Sequence, residues 1–179
     1  MPLYASKKTF KPAPEGLWDG VCIDVVDKGI VPTEWGPKHK VQFRWVVNAE
    51  PKRNDGKPHM VSMSYPISMD ERSNLRKMLE LWRGRKFTPE ELKKFDLETV
   101  LHAPCQIQVA HDTGSDGDPY AFPQVVMKAR NGHRVEAPSD YVRECDRPGY
   151  KSPKVEEEEE PEQLDEVNYD QITDDDIPF

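Results

Sequence analysis

Lys40-Val41-Gln42-Phe43-Arg44-Trp45-Val46-Val47-Asn48 puts Val41, Phe43, Trp45 and Val47 on one parity. Lys40, Gln42, Arg44 and Val46 take the other. A period of two with one apolar side belongs to a β-strand lying on a core. Upstream, Leu17 to Val26 alternates as well, with Leu17, Val21, Ile23 and Val25 on one parity, and ends at Lys28-Gly29. The loop between these strands holds Pro32, Trp35, Gly36 and Pro37. Downstream, Asn54-Asp55-Gly56-Lys57 signals a turn, and His59 to Pro66 forms a third strand with Val61, Met63 and Tyr65 on one parity.

The period then changes. Leu75, Met78, Leu79 and Trp82 recur at three- and four-residue spacing, Ser68 with Glu71 reads as a capping box, and Gly84 stops the helix. Thr88-Pro89-Glu90-Glu91 opens a second, short helix. Cys105 to His111 is a fourth strand, and Thr113 to Pro119 a loop. Tyr120 to Lys128 is a fifth strand, interrupted by Pro123 and so expected at an edge or a bulge. Three strands, a helix and two strands predict a mainly β protein. The expected arrangement is the oligonucleotide/oligosaccharide-binding (OB) fold, a five-stranded partly open barrel with the helix between strands 3 and 4. An α+β sandwich has the same order of elements.

The chain has 179 residues and a net charge of −8, unevenly placed. Residues 151–179 hold 12 acids and two bases, a net −10, and residues 1–150 carry +2. The predicted division is a flexible basic arm (1–15), an OB domain (16–130), an extension and acidic linker (131–163) and an acidic tip (164–179). A disordered acidic tail is expected after a folded body. Lys7, Lys8 and Lys11 precede no apolar run, so the first residues do not read as a secretory signal. No stretch approaches the roughly 20 apolar residues that span a bilayer. Three cysteines without paired spacing suit a reducing cytoplasm. No membrane association is expected.

The sequence ends Asp174-Asp175-Asp176-Ile177-Pro178-Phe179. Three carboxylates suit a basic ridge on a partner. An aromatic stiffened by Pro178 and carrying an α-carboxylate suits an apolar pocket with a cation beside it. This segment resembles the acidic tip of bacterial single-stranded-DNA-binding proteins. Gly36-Pro37-Lys38-His39-Lys40, Leu81-Trp82-Arg83-Gly84-Arg85, Phe87-Thr88-Pro89-Glu90-Glu91 and Ala103-Pro104-Cys105-Gln106 resemble a group of phage and prophage proteins regarded as OB-fold single-strand binders. The resemblance implies a protein that coats single-stranded DNA during replication and recombination. It also implies that Asp174, Asp175, Asp176, Ile177, Pro178 and Phe179 recruit replication, recombination and repair proteins. It places the protein in bacterial or phage-infected cytoplasm.

Sequence-tolerant binding needs cations for phosphates and aromatic faces for bases. The residues expected to supply them are Trp35, Lys38, Lys40, Arg44, Arg53, Lys57, Tyr65, Tyr120, Phe122, Lys128 and Arg130. Trp45 shares parity with Phe43 and is expected in the core, as is Trp82. The −10 tail is expected to compete with phosphates for the basic groove. Single-stranded DNA is thus the expected ligand, with an adaptor that mimics the tip, or an RNA-binding OB protein, as the alternatives. No glycine-rich phosphate loop or His-Glu-x-x-His helix is present. His102 and Cys105 are half a zinc site at most, and the Asp112–Asp118 loop lacks the trailing glutamate of an EF-hand. Neither a metal, a cofactor nor an enzymatic activity is expected.

Overall fold

A computed structural model describes residues 11–153. The expected acidic tail and the Asp174–Phe179 segment lie outside the described residues, as does most of the expected basic arm. Five strands form one antiparallel sheet in the order β3-β2-β1-β4-β5: β1 Gly16–Val31, β2 Lys38–Val47, β3 His59–Pro66, β4 Pro104–Thr113 and β5 Pro119–Lys128. Helix α1, Asn74–Arg83, and a short helix α2, Pro89–Lys93, fall between β3 and β4. The sheet is not closed. The edge strands β3 and β5 approach each other without a ladder, and α1 packs against both.

The alternation in β2 and β3 sets their register without a break, from Lys40 opposite Pro66 to Val47 opposite His59. Val41, Phe43, Trp45 and Val47 point into the core with Val61 and Tyr65, and the apolar face of α1 closes it with Leu75, Met78, Leu79 and Trp82. The Phe43 and Trp45 rings stack at 5.7 Å, and Trp82 meets Trp45 edge-on at 5.9 Å. Cys22 and Cys105 fill the same core. Burial pushes the Cys22 thiol up to about 12 and raises that of Cys105 still further, so both are packing groups rather than thiolates.

β1 departs from its expected single apolar parity. The ladder pairs Cys22 with Trp45 but then Asp24 with Arg44, so Ile23 is an extra residue in a bulge. The bulge swaps the faces of the strand: Cys22 and Val25 enter the main core, whereas Val21 and Ile23 are buried outside it with Val46. β5 is an edge strand with its register break beside Pro123, as its sequence predicts. The helix start differs from expectation. Ser68 and Asp70 bond within a separate turn, and α1 begins after Ser73, which makes no side-chain cap.

The capping box lies at α2, where Thr88 accepts from the Glu91 N–H and Glu91 accepts from the Thr88 N–H. Glu91 also accepts from Arg83 at 2.7 Å and Arg85 at 3.0 Å. The Arg83 hydrogen bond, then the Thr88 N–H and Arg85, hold its carboxyl down at about 2. A lowered folded-state value stabilises above the ordinary range near 4.5, and this contribution is lost as pH falls toward about 2. Wild type should therefore melt above Glu91→Gln at neutral pH, with the gap closing from pH 4.5 downward. A gap that is constant across this range would contradict the clasp.

Residues 131–153, which carry no periodic pattern, cross the outer side of β1 and β2 as a strap. Val135, Ala137 and Tyr141 cover Val21, Ile23 and Val46. Pro153 lies against Gly29, where a Cβ would stand 2.6 Å from the proline Cβ. The packed body therefore extends past the expected boundary at residue 130. It also begins before residue 16, since Ala13 is in the core.

Candidate nucleic-acid interface

The β1–β2 loop presents the most exposed aromatic ring among the described residues. Thr33 and Gly36 pair their backbone groups at 3.0 and 3.2 Å, and the Thr33 hydroxyl donates to the Gly36 carbonyl. Gly36 closes this turn at φ +95°, a conformation an L side chain rarely adopts. Trp35, at the tip, is 85% exposed. Asp27 braces the loop base by accepting from the Gly29 N–H at 2.7 Å and bonding His39 Nε2 at 2.7 Å. Trp35 thus projects from an ordered turn, with Lys38 and Lys40 following it into β2.

The outward residues of β2 and β3 lie beside this loop, with Val46 buried under the strap. Lys40, Gln42, Arg44 and Val46 lie across the ladder from Pro66, Ser64, Ser62 and Met60. Ser62, Ser64 and Met60 are exposed. Sequence reading gave no role to these three or to Gln42, although the three sit on the β3 parity opposite Val61 and Tyr65 and Gln42 shares the parity of Lys40 and Arg44.

Arg44 is on this face but is clasped by the strap. It donates to Gln42 Oε1 at 3.0 Å and to the Tyr141 hydroxyl at 3.4 Å, and it is paired with the Glu144 carboxylate. Beneath it, Asp24 is fully buried. Asp24 accepts from the Tyr141 hydroxyl and the Glu144 N–H, both at 2.9 Å, and lies 3.5 Å from Arg143 and 3.6 Å from Arg44. Arg143 continues to Glu98 at 2.8 Å, and Lys28 reaches Glu144 at 3.7 Å. Burial works against ionisation of Glu144, but Arg44, Lys28 and Arg147 together outweigh it and hold the carboxyl below its ordinary range.

The other expected residues do not gather at one place. Tyr65 is a correction: its ring is buried against Phe43 at 6.0 Å, and burial raises its hydroxyl to about 12. Its parity with Val61 places it inside. Tyr120 is half exposed and tilts against Phe122 at 6.1 Å. Tyr120 shares a cleft of about 450 Å³ with Arg53, Lys11 and Met60. Arg53 pairs with Asp55 at 3.1 Å, and Lys57 with the strap residue Asp140 at 3.3 Å. Lys128 and Arg130 line a separate cleft of about 490 Å³ whose apolar floor includes Trp82 and Phe95. Arg130 is paired with Asp19 at 2.9 Å.

This arrangement offers an aromatic face, adjacent cations and a row of small polar side chains, the kinds of group that sequence-tolerant single-strand binding requires. Among the described residues no group of three or more His, Cys, Asp or Glu side chains could hold a metal ion, and no helix is long and apolar enough to cross a membrane. Comparisons with protein-family models and with curated proteins find no match.

Proposed function

We propose that this is an OB-fold protein that coats single-stranded DNA without sequence specificity, acting as a binding protein rather than an enzyme. The strand order β3-β2-β1-β4-β5, with α1 bridging the β3 and β5 edges, supports the OB reading. The observation that carries the function is the exposed Trp35 on its braced turn, with Lys38 and Lys40 leading onto an outer face that is exposed along β3 and covered by the strap at Arg44 and Val46. In an OB fold that face and the flanking β1–β2 and β4–β5 loops hold the oligonucleotide. Asp174–Phe179 would serve as an address for replication, recombination and repair proteins in a bacterial or phage-infected cytoplasm.

Oligo(dT) should quench the tryptophan fluorescence of the full-length protein, and duplex DNA of equal length should not compete. In the same experiment, protein lacking Phe179 should quench equally while losing partners captured through the tip. Stronger competition by oligo(rU) than by oligo(dT) would assign the face to RNA. No quenching and no gel shift would remove the nucleic-acid reading and leave an adaptor.

A further inference from the structure

We infer that Glu144 is an intramolecular phosphate mimic that occupies Arg44 and Lys28, so that the strap sets how many cations the proposed single-strand site offers. The inference rests on the nucleic-acid reading above and concerns the regulation of that same face. Arg44 is the third outward cation of β2 after Lys38 and Lys40, and Ser62 across the ladder from it and Ser64 beside that are exposed. A phosphate following the face from Lys40 would meet Arg44 next. The Glu144 carboxylate already holds that place, paired with Arg44 and 3.7 Å from Lys28. Asp140 does the same for Lys57 at the edge of the strap.

The strap and its carboxylate are secured differently, so the carboxylate can be neutralised without undocking the strap. The backbone is fixed through Asp24, which accepts from the Glu144 N–H and the Tyr141 hydroxyl, and through Val135 and Ala137 on the outer apolar patch. None of these contacts uses the Glu144 carboxylate. Its side chain is 26% exposed, so it can swing to solvent while the strap stays docked. Arg44 stays aligned by Gln42 and Tyr141 and would meet phosphate already oriented. In wild type a phosphodiester must first displace this carboxylate, so Arg44 adds little net affinity or counterion release until the charge of Glu144 is removed.

Glu144→Gln removes the charge and keeps the backbone N–H that Asp24 accepts. The full-length variant should bind oligo(dT) about three- to tenfold more tightly at low salt. Its log K against log salt should steepen by about 0.7 per recruited cation, hence by about 0.7 to 1.4 for Arg44 and Lys28. Arg44→Gln should change wild-type affinity little but abolish the gain in the double variant. Tripolyphosphate provides a test independent of DNA: it should shift the Arg44 Nε–H resonance in Glu144→Gln and not in wild type. Oligo(dT) bound by both proteins with equal slopes overturns the mimic and leaves the single-strand reading standing. A tripolyphosphate response without oligo(dT) binding does the reverse, and absence of both removes both.

Discussion

Replacing Asp24 with alanine should lower the stability of the body by about 3 kcal/mol, because a buried charge network loses its central acceptor. Asp24 is fully buried and is approached by Tyr141, the Glu144 N–H, Arg143 and Arg44. Arg44 keeps Gln42 and Glu144, and Arg143 keeps Glu98, which holds the loss to the lower part of the range for a broken buried pair. For a folded unit of this size the melting temperature should fall by about 10 °C. Proteolysis within residues 131–153 should accelerate at the same time, since Asp24 joins the strap to β1. Unchanged melting, or melting that falls with the strap still protected, would show that the strap is held by its apolar contacts alone.

Trp35→Ala should have the opposite profile. The ring is 85% exposed on a turn closed by backbone bonds and Gly36, so its removal should leave the melting temperature within about 1 °C. A stacked base is worth about 1–3 kcal/mol, and affinity for oligo(dT) should fall by about tenfold or more. Most of the fluorescence quenching should disappear with it, because Trp45 and Trp82 are buried in the core and Trp18 is partly buried against it. A variant that binds and quenches like wild type would move the stacking platform elsewhere, with Tyr120 and Phe122 the next aromatic pair to test.

Period-two patterning was enough to place β2 and β3, because the inward face of β2 is buried from Val41 to Val47, that of β3 at Val61 and Tyr65, and their ladder has no break. It failed in β1 for a specific reason. A bulge at Ile23 lets one parity serve two cores, and no feature of Leu17 to Val26 marks where the faces exchange. The strap was illegible because it pairs with no strand. Its order comes from scattered contacts, Val135, Ala137 and Tyr141 on the apolar patch and Asp24 beneath them, and such contacts leave no period. The same gap explains the site. Trp35 could be read as exposed because its loop serves no periodic core. The condition of Arg44 depends on Tyr141 and Glu144, about a hundred residues away, and could not be read from its own strand.

Charge follows the same division. The near-neutral total for residues 1–150 conceals a face whose cations are partly matched by carboxylates of the strap. Salt dependence is therefore the most direct measure of what the face can hold. Full-length protein should be titrated with oligo(dT) over a series of salt concentrations. Contacts from Lys38 and Lys40, which the strap carboxylates Glu144 and Asp140 do not hold, would give log K against log salt a slope near −1.4, at about −0.7 per phosphate neutralised on a single strand. Absence of binding at the lowest salt, or an affinity that does not change with salt, would contradict a phosphate-binding face on β2 and β3.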